Sequence, residues 1–204
     1  MRDFLDALVP PRCAGCGDAG SWLCPRCASE GDPVVVHSGP LIVRGAAAHE
    51  GPLREAVHRF KYSGERGLAA ELGALVARLI AGDLARGVAL DAVVAVPLHP
   101  DRAHARGYDQ AALLAAVAAA RVGLPSSGGL YRVRPSRPQV DLDRAERSRN
   151  VEGAFVAVAG SLDGARVALV DDVATTGATL RAAADAALAA GAAAVRAYVV
   201  TVDA

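Results

Sequence analysis

Residues 167–180 read VALVDDVATTGATL, an apolar run that ends in two adjacent carboxylates and passes through a small Thr/Gly/Ala loop into an alanine-rich segment. Backbone amides of a turn at 174–179, with the hydroxyls of Thr175, Thr176 and Thr179, can surround a phosphate at the positive end of a following helix. Gly177 would let the backbone approach closely. Asp171 and Asp172 suit a different part of the same ligand, the vicinal hydroxyls of a ribose, bound directly or through a Mg²⁺ shell. The segment therefore matches a ribose 5-phosphate, with Ala174, Thr175, Thr176, Gly177, Ala178 and Thr179 on the phosphate and Asp171 and Asp172 as the catalytic pair. The plainer alternative is a strand, turn and helix with a threonine cap and a solvated acidic pair.

A second group of reactive side chains lies near the start. Cys13, Cys16, Cys24 and Cys27 form two C-x-x-C pairs, CAGC and CPRC, and are the only cysteines in the chain. Each such knuckle brings two thiolates to one ion, and four thiolates complete the tetrahedron that Zn²⁺ prefers. Two disulfides or free thiols are the other readings, and a reducing compartment disfavours disulfides. A zinc ion with four thiolates keeps no open position, so its expected role is structural. Residues 10–30 are too short to bury a core, and a metal would supply the missing cross-link.

Candidate partners for a pyrophosphate come from elsewhere. Arg forks, lysine and free amides are its best ligands. The segment after residues 91–96 offers Arg102, Arg106 and Gly107, and Lys61 sits in a polar junction after a short helix. Each of these cations could equally be a solvated surface charge. His99 and His104 read as loop surface.

These groups need a frame to hold them. EGDPVVVHSGP and LIVRGAAAHEG read as strands or a hairpin. A short helix is expected at 52–60. From Arg66 to Leu84, Leu68, Leu72, Leu75, Val76, Leu79 and Ile80 recur at helical spacing and mark one apolar stripe. DAVVAVP, at 91–97, reads as a strand buried on both faces and stopped by proline. Further helices are expected at 109–121 and 178–190, and further strands at 130–134, 151–158, in RVALVDD and in AVRAYVVTV. Strands and helices alternating in this way predict an α/β fold with a mostly parallel sheet flanked by helices. In such sheets ligands bind beyond the carboxyl ends of the strands, where the polar part of VALVDDVATTGATL falls. The expected organisation is a zinc-binding element at 1–32 and one larger domain at 33–204.

Composition limits the partners. Lys plus Arg equals Asp plus Glu at 22 each, which argues against chain-wide attraction to nucleic acid or to a membrane surface. Arginines 132, 134, 137, 144, 147 and 149, set against Asp141, Asp143 and Glu146, make a local excess of three positive charges. Such a segment can follow a phosphate backbone and stack on bases of single-stranded nucleic acid, or it can be ordinary solvated arginine. No apolar run approaches the ~18 residues of a membrane span, and MRDFLDALVPP lacks a signal-peptide layout. The chain reads as cytoplasmic.

The order of apolar run, Asp-Asp, two residues and T-T-G-x-T resembles the signature of type I phosphoribosyltransferases, which bind 5-phosphoribosyl 1-pyrophosphate (PRPP). PLHPDRAHARGYDQAALLA at 97–115, RPQVDLDRAERSRNVEGAF at 137–155 and HRFKYSGER at 58–66 are similar to the ComF group, competence-associated proteins that join an N-terminal zinc element to a phosphoribosyltransferase-like domain. The resemblance covers nearly the full length. It departs at Asp109, where members commonly have Asn, and in the cysteine count, since many carry a double zinc ribbon. It implies a pyrophosphate loop at about 97–107 and a hood over the site that includes Arg137, Gln139, Arg144 and Arg147. It also implies PRPP with Mg²⁺ as ligand and a role in DNA uptake and natural transformation, with single-stranded DNA or competence proteins as partners. The alternative is an active phosphoribosyltransferase that transfers ribose 5-phosphate to an unidentified acceptor.

Overall fold

The computed structural model describes residues 10–133 and 153–203. The hood residues Arg137, Gln139, Arg144 and Arg147 lie outside the described residues.

Two strands open the main sheet as the expected hairpin: β1 (Val34–Ser38) pairs antiparallel with β2 (Leu41–Ala48). The chain continues through α2 (Gly51–Tyr62), α3 (Leu68–Ala85), β3 (Ala92–Ala95), α4 (Pro100–Arg106), α5 (Gln110–Val122) and β4 (Ser126–Ser127). It ends with β7 (Arg166–Ala174), α6 (Ala178–Ala189) and β8 (Ala194–Val202). The six-stranded sheet has the order β1-β2-β8-β7-β3-β4, and every pair beyond the hairpin is parallel. β5 (Leu130–Arg132) and β6 (Phe155–Ala157) form a separate antiparallel ribbon. The α1 turn (Pro25–Ala28) belongs to the cysteine-bearing element.

β7 is central and reads as it should for a strand covered on both faces. Its residues alternate between two cores: Ala168 and Val170 pack with α2, α3 and α5, while Val167 and Leu169 pack on the α6 side. On α3 the apolar stripe lies buried, and Gly73 lets α5 come close, since a Cβ there would meet Val117 Cβ at 2.6 Å.

Some expected boundaries move. The helix expected at 52–60 runs on to Tyr62, so Lys61 stands in its last turn, where the helix dipole favours a cation. Residues 100–106 form a helix inside what was expected to be a loop. Pro100 opens it, His99 Nδ1 accepts from the Asp101 N–H, and Gly107 closes it at φ 74°. β7 continues to Ala174 because Val173 and Ala174 still pair with Thr201 and Val202, so the acidic pair lies inside the strand, before its end.

The cysteine-bearing element is packed into the main body. Cys13, Ala14, Leu23 and Cys27 are buried in one core with Leu53, Phe60 and Leu68. A Cβ on Gly15 would meet Pro52 Cβ at 2.6 Å, and one on Gly67 would meet Trp22 Nε1 at 2.1 Å. Among the described residues, no helix is long and apolar enough to cross a membrane.

Candidate functional site

The sheet carries a cleft of about 490 Å³ at the carboxyl ends of its strands. The end of β7 and the loop to α6 supply its floor, with Asp171, Asp172 and residues 173–180 all lining it. Because neighbouring residues of a strand face opposite ways, the two carboxylates enter from different sides. Asp172 is on the face covered by α2 and meets Lys61, Nζ to Oδ1 at 2.8 Å. Asp171 is on the α6 side, and its Oδ1 accepts from the Asp172 N–H at 2.8 Å.

Burial and the charge of Asp172 push the Asp171 carboxyl well above the usual carboxylate range, against the pull of Lys61. Burial alone would lower the Lys61 ammonium, but Asp172 outweighs it and raises the pKa. Burial and the neighbouring Asp172 charge therefore resist a full negative charge on Asp171.

Beyond the strand, Gly177 takes φ 72° and caps α6. A Cβ at that position would lie 2.6 Å from Ser38 Cβ and Oγ, so the loop can pack on the β1–β2 turn only as glycine. The first N–H groups of a helix have no intrahelical partners. The start of α6 lines the cleft together with Thr175, Thr176 and Thr179, and the Ala178 N–H donates to Thr176 Oγ1 at 3.4 Å. This is an arrangement of donors without a cation, suited to an anion held by main-chain amides.

One side wall comes from the segment between β3 and α5. Asp109 ties it together: Oδ2 accepts from the Leu98 N–H and Oδ1 from the Ala112 N–H, both at 3.0 Å. Arg106 lines the cleft, with its guanidinium 5.1 Å from the Tyr62 ring centroid and Nη1 donating to Gln110 Oε1 at 3.2 Å. Gly107 does not line it. The Gly107 carbonyl instead accepts from Arg66 Nη2 at 2.5 Å, and Arg66 stacks on the Tyr108 ring at 4.8 Å. The side chain of Arg102 is outside the described set.

Several lining residues were not singled out from sequence. His49 and Asp203 stand at the ends of β2 and β8, and Tyr62, Gln110 and Arg132 complete the rim. His49 Nδ1 is 2.7 Å from Thr201 Oγ1, and burial, then Lys61, lower its pKa. A terminal His or Asp carries no periodicity, and only the parallel pairing of β2 with β8 brings these two together.

In the N-terminal element, the four cysteine sulfurs lie within 4.8 Å of one another. Cys16 and Cys24 are 3.7 Å apart, close to the ~3.8 Å edge of a tetrahedron with 2.3 Å metal–sulfur bonds. Burial raises the Cys13 thiol, yet backbone N–H groups, led by that of Cys24, hold it at about 6, which favours the thiolate. The four could hold a metal ion.

Comparison with known proteins follows the same lines. The phosphoribosyl transferase domain model matches residues 111–203. Competence protein F of Haemophilus influenzae is 35% identical over 135 residues, covering 63% of this chain and 58% of that protein. DNA utilization protein YhgH of Salmonella typhi is 33% identical over 150 residues, 72% of this chain and 66% of that protein. The chain belongs to the ComF family. It spans about three fifths to two thirds of the length of these curated relatives. Among solved structures, this ComF chain is similar to glutamine PRPP amidotransferase from B. subtilis at 27% identity. That match has a TM-score of 0.44 and covers 64% of this chain and 25% of the other. Adenine phosphoribosyl transferase from Trypanosoma brucei gives 14% identity and a TM-score of 0.47, covering 84% and 86%. The phosphoribosyl transferase domain match and the mostly parallel sheet with flanking helices give this chain the type I phosphoribosyltransferase fold.

Proposed function

We propose that this ComF protein binds PRPP with Mg²⁺ in the cleft at the end of β7 and acts in the handling of DNA during uptake. The observation that carries the reading is the juxtaposition of the α6 amide loop with the Lys61–Asp172–Asp171 set in one cleft. The amides of 175–179 and the threonine hydroxyls receive the 5-phosphate. Asp171 and Asp172 accept the ribose hydroxyls or the water shell of Mg²⁺. Arg106, held by Tyr62 and Gln110, and the segment from Pro97 face the pyrophosphate, with Lys61 and Arg102 as further cations. Bound Mg²⁺ would neutralise pyrophosphate charge; the chain's own part is to fix the sugar and to keep the two carboxylates from repelling it through Lys61.

The role in DNA uptake rests on the names of the relatives, Competence protein F and DNA utilization protein YhgH. The arginine-rich segment at 132–149 is assigned to single-stranded DNA or to a competence protein. Zn²⁺ is assigned to Cys13, Cys16, Cys24 and Cys27, where four thiolates give it a structural role only. The same cleft supports a second reading, transfer of ribose 5-phosphate to an acceptor. His49 favours it, because a neutral imidazole at the rim can accept an acceptor's proton.

Calorimetric titration with Mg-PRPP should give one saturable site. A panel of bases and amines then separates the readings: pyrophosphate release supports transfer, and binding without turnover supports the first. Absence of PRPP binding by the reduced, metal-loaded chain would remove both.

A further inference from the structure

His49 lines the cleft but belongs neither to the phosphate loop nor to the acidic pair. It follows directly on β2, and its N–H donates to the Val202 carbonyl at 2.7 Å, which ties this backbone to the end of β8. The ring is tied as well: Nδ1 lies 2.7 Å from the hydroxyl of Thr201, a fully buried residue. Thr201 needs only one ring nitrogen. Nε2 is neither sealed in the interior nor bonded to another group among the described residues, so it is the ring's open polar atom.

Charges of both signs face this ring. α2 contributes the Lys61 ammonium and the Arg54 guanidinium, β7 the Asp172 carboxylate, and the residue after β8 the Asp203 carboxylate. Burial, then Lys61, outweigh the two acids and hold the ring below its ordinary pKa, so the empty cleft carries a neutral imidazole at neutral pH. A hydroxyl can donate to Nδ1 or accept from it, and Thr201 therefore keeps its bond in either protonation state. The ring can gain a proton without losing its anchor.

An anion entering beside it reverses the balance, since a charge of opposite sign within about 4–6 Å favours the charged form. Of its charged neighbours, Lys61 acts on His49 most strongly. Lys61 stands with Asp172 on the α2 face of β7, whereas the loop assigned to the 5-phosphate leads into α6 on the other face. The end of PRPP that approaches His49 is then its pyrophosphate. We propose that His49 is a pyrophosphate-binding residue, which takes up one proton from solvent as Mg-PRPP binds and donates Nε2–H to a pyrophosphate oxygen. No bond of the ligand breaks in this step. The assignment presupposes PRPP in the cleft and adds a cation that exists only while the ligand is there. An imidazolium has no lone pair for an acceptor's proton, so this role and a role as base in transfer exclude each other.

The test follows the imidazole nitrogen NMR signals of the full, metal-loaded chain at neutral pH, with Mg-PRPP, Mg-pyrophosphate and ribose 5-phosphate as separate probes. The first two should turn the His49 ring from neutral to imidazolium, and ribose 5-phosphate should leave it neutral. Calorimetry in buffers of different ionisation enthalpy should show more proton uptake by the parent than by His49→Gln, which keeps an N–H donor but cannot titrate. Because the bound ring has the higher pKa, the parent binds Mg-PRPP most tightly at low pH. Its affinity falls as pH rises between the free and bound values, by up to about tenfold per pH unit for one proton. The variant should lack that part of the slope. Amides of residues 175–179 report the phosphate loop separately. If they stay silent with Mg-PRPP, the PRPP reading fails and this assignment with it. If they shift while the ring stays neutral, if ribose 5-phosphate alone protonates the ring, or if His49→Gln keeps the parent's pH slope, the PRPP reading stands and this assignment is overturned.

Discussion

Lys61 Nζ and Asp172 Oδ1 are 2.8 Å apart, and both side chains are largely withdrawn from solvent. Removing the ammonium would leave the withdrawn Asp172 carboxylate without its counter-charge, beside the Asp171 carboxyl. Lys61→Met is therefore expected to cost about 2 kcal/mol, the scale of a hydrogen bond to a charged group, and to weaken PRPP binding. Denaturant unfolding at neutral pH checks the first and calorimetry the second; unchanged values in both would show that the pair is incidental.

Asp171 gives a stability that depends on pH in a direction set by its raised pKa. Between the unfolded carboxylate value, about 4, and the higher folded value, the folded chain holds a proton that the unfolded chain has lost. Stability contributed by this group therefore falls as pH rises through that window. Asp171→Asn should flatten the fall and leave the variant relatively more stable at mildly alkaline pH. Melting temperatures of parent and variant from pH 5 to 8 measure it, and parallel curves would contradict it.

Gly67 faces the Trp22 ring, which ties the cysteine element to the start of α3. Its backbone is right-handed helical, at φ −57°, so alanine would meet no backbone strain there. Gly67→Ala should still cost about 1–3 kcal/mol, the usual penalty for overpacking, with a change in tryptophan fluorescence as the ring moves. Trp22 is the only tryptophan, so the signal is unambiguous.

Asp109 spends one oxygen on Leu98 and the other on Ala112. An Asn side chain has one acceptor and one NH₂, so Asp109→Asn turns a donor toward a backbone donor. The expected outcome is a loss of about 1 kcal/mol, the scale of one hydrogen bond, and a weaker hold on pyrophosphate, measured by competition against PRPP. A variant as stable as the parent would mean that the loop rearranges around the amide.

Chelation of the metal, or Cys13→Ser, should do more than unfold a small appendage, because Cys13 and Cys27 share a core with Leu53 and Phe60. A loss of about 2 kcal/mol would lower the melting temperature by roughly 4–8 °C. Metal analysis of a reduced preparation should find one zinc ion per chain.

How much of this was legible in the sequence depends on whether the signal was local. The buried strand through Val167–Val170, the α3 stripe and the C-x-x-C pairs follow from spacing alone, and they stand where spacing put them. The helix at 100–106 escaped notice because seven residues are too few for periodicity, although Pro100 and Gly107 were its start and stop signals. Lys61 against Asp172, and His49 beside Thr201, depend on strand order, which no local pattern encodes. Gly107 was expected to face pyrophosphate but has its carbonyl on Arg66, a pairing set by the distant 64–67 turn.

The account stands most directly on where the sugar phosphate sits. A crystal grown with Mg-PRPP should show the 5-phosphate on the amides of residues 175–179 and the ribose hydroxyls turned to Asp171 and Asp172. Density for the ligand at any other place, or a cleft left empty at saturating Mg-PRPP, would contradict it.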